Sequence, residues 1–254
     1  MAKFTSSYSR SFTIPSYALD KHEKTNLTYL IQLIQETGSY HAHGFNLTVS
    51  DLIKEGKTWM LTKQRIDILR YPTWPDRVRV DTWIEKPTRF STPRLFKVYD
   101  ENENLILTAV TYWCIIDLDT HRPLPITSLE DLGWVETSPL PLEPIKKLRI
   151  PEDDSFALFS SDPIIRYQDS DLNKHVNNTV YSDWCLDSLP AAFRDKKQPK
   201  SIEIHYLKET YADDRVSVTS RFEEATGICY HTIEASNGGE MRIVCNAKSI
   251  WEDR

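Results

Sequence analysis

The two halves of this 254-residue chain repeat one pattern, and the duplication limits the possible folds more than any other feature. Three segments of the first half recur in the second at one constant spacing: 66–68 as 204–206, 76–80 as 214–218, and 109–113 as 247–251. Before them, three apolar helix positions recur at a wider spacing: Leu30, Ile31 and Ile34 as Val180, Tyr181 and Trp184. Because the strand segments recur at a shorter spacing than the helix positions before them, the first half must contain extra residues between the two. We predict an extra loop there, within residues 40–59.

Each half predicts one helix followed by several antiparallel strands. Thr25 and Asn26 are placed to cap a helix whose apolar residues recur at i, i+3, i+4 and i+7 from Leu27. Residues 78–84 and 216–220 alternate with a period of two, which is typical of half-buried strands. We therefore predict an α+β fold with one amphipathic helix across a curved antiparallel sheet in each half. Fusion of the halves into one continuous sheet is favoured because it covers exposed edges.

A proline-rich stretch separates the two halves. Residues 123–155 contain six of the 14 prolines, which fix φ and donate no hydrogen bond to a sheet. We predict an N-terminal domain at 1–135, an extended linker at 136–155 and a C-terminal domain at 156–254. Two duplicated domains that pack apart are the alternative to one fused sheet.

Composition excludes several classes of protein. A net charge of −6 and a pI of about 5.7 argue against a nucleic-acid binder. The longest apolar run, about residues 109–116, is shorter than the roughly 20 residues of a membrane-spanning helix, and the N-terminus lacks the apolar region of a signal peptide. We expect a soluble, cytoplasmic protein. The four cysteines lack metal-binding spacing, so we predict reduced, buried thiols, with no metal and no cofactor.

Chemistry is expected where one copy of the repeat departs from the other. The second half carries Asp171-x-Asn173-x-His175 before its helix, without a counterpart in the first half, and Glu209 where the first half has Tyr71. An imidazole moves protons near neutral pH, an amide donates to a carbonyl oxygen, and a carboxylate orients the imidazole or activates water. The N–H groups that open the second helix can stabilise an oxyanion. Together these groups predict attack of water on an activated acyl carbon without a covalent intermediate.

The same residues also have purely structural interpretations. The motif can serve only as an Asx turn and helix cap. Asn177 and Asn178 are expected to be caps, and His205 and His231 are expected on the surface of strands. Simple alternation leaves open whether Glu209 faces the helix.

The motifs resemble those of the acyl-acyl-carrier-protein thioesterases of plants and bacteria. The matching segments are 169–178 with Tyr181 and Trp184, 204–209, 70–76, 81–83 and 35–37. The resemblance implies two fused hotdog domains, each a helix wrapped by an antiparallel sheet. It also implies hydrolysis of the thioester that joins a fatty acyl chain to the phosphopantetheine arm of acyl carrier protein.

The resemblance assigns roles to particular residues. It places catalysis at Asp171, Asn173, His175 and Glu209, and we predict substrate contacts at Val176, Asn177 and Trp184. It implies that the first domain holds the acyl chain and the second performs the chemistry. Many plant members have cysteine where this chain has Thr210, so a water mechanism is favoured over a thiolate nucleophile. The chain begins almost at its first strand, without a plastid transit peptide, which favours a bacterial, cytoplasmic enzyme.

Recognition of an acidic carrier protein by this acidic chain requires a local basic patch. Two groups are candidates: Lys146, Lys147 and Arg149, and Arg194, Lys196, Lys197 and Lys200. Solvated surface charge is the alternative. We predict a monomer or homodimer that binds no membrane and no nucleic acid. The functional alternatives are an acyl-CoA thioesterase, a hydratase of the hotdog type and an acyl-binding module without turnover.

Overall fold

The computed structural model describes residues 6–126, 144–153 and 155–254. The chain divides into two compact units, Met1–Thr62 with Ile68–Pro144, and Lys63–Asp67 with Ile145–Arg254. The change from the first unit to the second at Pro144 falls within the predicted linker 136–155, of which residues 136–143 and 154 lie outside the described part.

The first unit is a helix packed on an antiparallel sheet. Its elements are β1 (Ser7–Thr13), α1 (Leu27–His43), α2 (Val49–Ile53), β2 (Lys57–Ile68), β3 (Arg77–Ile84), β4 (Thr92–Asp100), β5 (Leu105–Asp117) and β6 (Pro123–Leu124). The strand order is β1-β3-β4-β5-β2, with β6 beside β5, and α1 packs against β1 and β3.

The second unit repeats this plan with a shorter helix. Its elements are β7 (Ala157–Ser161), α3 (Val180–Asp187), α4 (Ala191–Arg194), β8 (Lys197–Tyr206), β9 (Arg215–Glu223), β10 (Ile228–Ser236) and β11 (Arg242–Asp253). Residues 63–67 of β2 pair antiparallel with β8, and the order continues β11-β10-β9-β7. Each unit thus combines helices with antiparallel strands, which confirms the predicted α+β class.

The helix of the first unit begins as predicted and ends later. The Oδ1 atom of Asn26 accepts a hydrogen bond from the N–H of Tyr29 at 2.8 Å, which caps α1. The extra loop was predicted somewhere within residues 40–59; there α1 continues to His43, and the segment between α1 and β2 contains the short helix α2. His41 is buried, and its ring packs edge-to-face on Phe45, so this last turn belongs to the core of the unit.

The hydrogen bonds repeat between the units more closely than the sequence does. The amides of Leu69 and Arg70 both donate to the carbonyl of Ile106, and their counterparts Leu207 and Lys208 both donate to that of Val244. This agrees with the spacing that the sequence indicated for the strands.

Before the helices, the register of the repeat is one position longer than the sequence indicated. Glu23 and Lys174 are structural counterparts, because they share a left-handed φ of 58° and 62° in matching turns. Small residues explain the error in register. Ser182 and Cys185 fill the buried positions of Ile31 and Ile34, which obscures the apolar pattern of the second helix.

A chain of hydrogen-bonded polar side chains crosses the core of the second unit. The Nδ1 atom of His231 lies 2.6 Å from the Ser220 hydroxyl, and its Nε2 atom lies 2.8 Å from the Ser249 hydroxyl. The expected surface position of His231 is therefore wrong, as is that of His205, which is also buried. Burial lowers the pKa of His231 to about 3. The four cysteines are buried free thiols, as predicted.

We expect His231 to make the protein sensitive to acid. Because its pKa falls from 6.5 to about 3 on folding, its contribution to stability is complete above pH 6.5 and is lost as the pH falls towards 3. The loss is at most about 1.4 kcal/mol per pH unit. Urea unfolding of the parent and His231→Gln from pH 7 to pH 4 measures it. The variant should lose stability less steeply; equal slopes would contradict the prediction.

Candidate active site

The segment that carries His175 lies beside the segment that carries Glu209. The N–H of Val176 donates to the carbonyl of Thr210 at 2.8 Å, which joins the residue after each of the two. The ring of His175 meets the ring of Tyr211 edge-to-face, with 5.0 Å between centroids. The structure therefore brings together two parts of the second unit that are well separated in the chain.

Tyr211, whose ring contacts His175, follows Glu209 by two residues. Burial raises the pKa of Tyr211, and the negative charge of Glu209 raises it further. No hydrogen bond or ion pair joins the Glu209 carboxylate or the His175 ring nitrogens to any residue that the structure describes. Both groups are half-buried. Among the described residues, their polar atoms therefore have no hydrogen-bond or ion-pair partner and can bond to a bound molecule.

A tight turn presents Asn173 and His175. The Oδ1 atom of Asp171 accepts from the N–H of Asn173, and the N–H of Asp171 donates to the carbonyl of His175, both at 2.8 Å. Lys174 has a left-handed φ of 62° within this turn. The Asx turn proposed as the structural alternative is therefore present, and it displays the two candidate catalytic side chains.

The first unit contains the same turn, which corrects one expectation. Asp20 is the structural counterpart of Asp171, and its Oδ1 atom accepts from the N–H groups of His22 and Lys24 at 2.9 and 3.0 Å. Asp171 is therefore not unique to the second copy, as the shorter register had suggested. What distinguishes the second copy is Asn173 at the position of His22, His175 at that of Lys24, and Glu209 at that of Tyr71.

Four amides before and at the first residue of α3 are already occupied by protein acceptors, which removes them from the predicted oxyanion site. The N–H groups of Val176, Asn177, Thr179 and Val180 donate to protein acceptors: Thr210 O, Asp169 O, Asn177 Oδ1 and Asn177 O. The N-cap residue of α3 is Thr179. Asn177, which was predicted to cap the helix, accepts hydrogen bonds from the amide and the hydroxyl of Thr179 instead.

The residues predicted to contact substrate make internal contacts. Val176 and Trp184 are each 5% exposed, and the Trp184 ring lies 5.1 Å from that of Tyr181. The side-chain oxygen of Asn177 is engaged by Thr179. These three residues form part of the frame behind the turn.

Sequence reasoning missed an ion pair that holds the Glu209 segment. The Arg242 guanidinium donates to Asp214 Oδ2 at 2.6 Å and to the main-chain oxygen of Glu209 at 3.4 Å. Asp214 also accepts from the N–H of Tyr211 at 2.8 Å. The sequence carried one signal of this pair. Asp214 repeats Asp76 of the first copy, yet Arg70, which pairs with Asp76, is replaced by Lys208.

The two basic groups differ in how far acidic residues neutralise them. Arg194 pairs with Asp187, Lys197 with Asp253, and Lys200 with Glu252. Lys146, Lys147 and Arg149 are exposed and form no ion pair with the residues described. Within the same ranges, no cluster of three or more His, Cys, Asp and Glu side chains is arranged to hold a metal ion, and none of the helices is long and apolar enough to cross a membrane.

Solved structures share this fold along nearly the whole chain. An acyl-ACP thioesterase from Bacteroides thetaiotaomicron aligns with a TM-score of 0.82 at 24% identity, over 97% of this chain and 98% of that one. The 12:0-ACP thioesterase from Umbellularia californica aligns with a TM-score of 0.85 at 23% identity, over 98% and 95%. At these identities the likeness shows the fold, which is the double hotdog that the resemblance implied.

Sequence profiles identify the family. The profile of the acyl-ACP thioesterase N-terminal domain matches residues 5–130, and the profile of the C-terminal domain matches residues 157–253. The chain belongs to the acyl-ACP thioesterase family. The palmitoyl-acyl carrier protein thioesterase of Arabidopsis thaliana is 26% identical over 97% of the chain, and its oleoyl-acyl carrier protein thioesterase 1 is 28% identical over 87%. The chain spans 64% and 66% of these two relatives.

We expect the two Asx turns to contribute similarly to stability. Asp171→Ala and Asp20→Ala each remove a turn acceptor and should lower the free energy of unfolding by about 1 kcal/mol, with Asp20→Ala at the higher end because it loses two bonds. Urea denaturation measures both. The Asn variants keep an acceptor oxygen and should lose less. Parent-like stability of both Ala variants would show that the main chain alone holds the turns.

Proposed function

We propose that this protein hydrolyses the thioester of fatty acyl-acyl carrier protein, releases the free fatty acid and so ends fatty acid synthesis. The observation that carries the proposal is the main-chain hydrogen bond from Val176 to Thr210, which joins the His175 and Glu209 segments in the one copy of the repeat that has both residues. Family membership supports it, and relatives are named as palmitoyl-, oleoyl- and dodecanoyl-acyl carrier protein hydrolases or thioesterases.

Water is the proposed nucleophile. His175 and Glu209 hold it between them, since neither side chain bonds the other directly or any other described residue. As the water oxygen attacks the carbonyl carbon, this pair takes its proton, and Asn173 donates its amide to the carbonyl oxygen. The C–S bond then breaks, and the phosphopantetheine thiolate receives the proton. Asp171 maintains the turn.

A covalent enzyme intermediate is not part of this proposal. Thr210, where many plant relatives have cysteine, is fully buried, and its hydroxyl oxygen accepts a hydrogen bond from Tyr181. The four cysteines are buried too. We further propose that the first unit binds the acyl chain, because it keeps the longer apolar helix and lacks the motif.

Substitution of the proposed base pair tests the mechanism. His175→Ala and Glu209→Gln should each lower kcat by about 10² to 10⁴, the contribution of a general base. Release of free thiol from a dodecanoyl-acyl carrier protein measures the rate. Asp20→Ala, which alters the matching turn of the first unit, should keep the parental kcat, whereas Asp171→Ala should lose activity. Parental kcat in both His175→Ala and Glu209→Gln would overturn the proposal.

Carrier docking is proposed at Lys146, Lys147 and Arg149, whose charges are not neutralised within the described ranges. The double variant Lys146→Glu/Lys147→Glu should raise KM for the carrier-bound ester about tenfold, which corresponds to about 1.4 kcal/mol. The KM for a small acyl thioester should stay constant.

The matched control is Lys197→Glu/Lys200→Glu, which makes the same change of charge at side chains already paired with Asp253 and Glu252. It should change KM for the carrier-bound ester less. Equal effects of the two double variants would overturn this docking site. Parallel assays with the CoA ester of the same acyl chain separate the proposed activity from an acyl-CoA thioesterase.

A further inference from the structure

Two buried hydroxyl groups are bonded directly behind the Glu209 segment. The Tyr181 hydroxyl on α3 donates to Thr210 Oγ1 at 2.8 Å. The two residues are 3% and 0% exposed. Thr210 follows Glu209, and its carbonyl already receives the N–H of Val176. Thr210 is therefore bonded at two points. Its main chain is joined to the turn that carries His175, and its side chain is joined to α3.

The first unit has the main-chain bond without the hydroxyl pair. There the carbonyl of Pro72, the counterpart of Thr210, accepts from the N–H of Thr25 at 3.0 Å. The counterpart of Tyr181 in the same register is Leu30. A leucine and a proline thus replace the tyrosine and the threonine. The hydroxyl pair occurs in the copy that carries His175 and Glu209, so it varies together with the proposed chemistry.

Stability alone does not require the pair. A buried hydrogen bond contributes only about 0.5–1.5 kcal/mol net, and the first unit fills the same positions with apolar side chains. The phenol also lies near the proposed reaction, because it bonds the residue that follows Glu209. The Glu209 charge adds to the effect of burial in raising the pKa of Tyr181. The Tyr181 hydroxyl is therefore placed to influence the position of Glu209.

We propose that Tyr181 is a positioning residue for the hydrolysis, acting through Thr210 to fix the direction of the Glu209 side chain. This inference rests on the proposed function. The hydrogen bond ties the residue after Glu209 to the body of α3, so that the carboxylate stays at its distance from His175 with room for water. A misplacement of about 1 Å can cost about a hundredfold in rate.

Tyr181→Phe and Thr210→Val test the link, because each removes one partner at nearly constant volume. Each should lower kcat for a small acyl thioester by about tenfold to a hundredfold, with KM within about twofold of the parent. The double variant should be no slower than the slower single variant, since the two act through one bond. Thr210→Ser, which keeps the acceptor oxygen, should retain more activity than Thr210→Val.

The pH profile of kcat/KM separates positioning from a loss of folded protein. The profile should shift in Tyr181→Phe because the surroundings of the carboxylate change, whereas partial unfolding lowers the rate without moving it. The control is Thr25→Val in the first unit, which removes the buried hydroxyl bond to the carbonyl of Pro72 at 2.7 Å. It should cost similar stability and leave kcat unchanged.

Two results would overturn this inference. One is a parental kcat and pH profile in Tyr181→Phe while His175→Ala is inactive. The other is additive loss in the double variant, which would mean that the hydroxyl groups act separately. If His175→Ala and Glu209→Gln were themselves fully active, the proposed function would fail instead, so the two failures are distinguishable.

Discussion

A single main-chain hydrogen bond, from the N–H of Val176 to the carbonyl of Thr210, determines what the second unit can present. It joins the turn before a helix to the segment after a strand, and His175 and Glu209 each lie one residue away from it. The same bond joins Thr25 and Pro72 in the first unit. Because it involves only backbone groups, the neighbouring side chains can change without loss of the frame.

The duplicated frame therefore separates architecture from chemistry. Asp20 and Asp171 build the same turn in both units, so this carboxylate belongs to the architecture. The substitutions that give Asn173, His175 and Glu209 place an amide, an imidazole and a carboxylate on two segments that one main-chain hydrogen bond joins. The two copies thus differ in side chains that lie next to hydrogen bonds both units share.

Sequence patterns predicted the features that depend on local periodicity. The cap at Asn26, the strands and the α+β class were correct because alternation and helical spacing are properties of neighbouring residues. The buried His231 and the Arg242–Asp214 pair were missed, because their partners lie on other strands. The catalytic candidates could be selected by comparing the two copies. The occupancy of the amides before and at the first residue of α3 could not be predicted from sequence, since their acceptors depend on tertiary structure.

The missed ion pair explains how the second copy changes its surface while keeping its frame. In the first copy Arg70, from the segment after β2, pairs with two carboxylates. In the second copy Lys208 takes that place, and Arg242 from β11 pairs with Asp214 instead. Arg242 also bonds the main-chain oxygen of Glu209, so it restrains the backbone of the segment. The ion pair that the structure describes for Arg242 is with Asp214. A charge supplied by a neighbouring strand thus stabilises the backbone of the segment, and the Glu209 carboxylate forms no ion pair with the residues described.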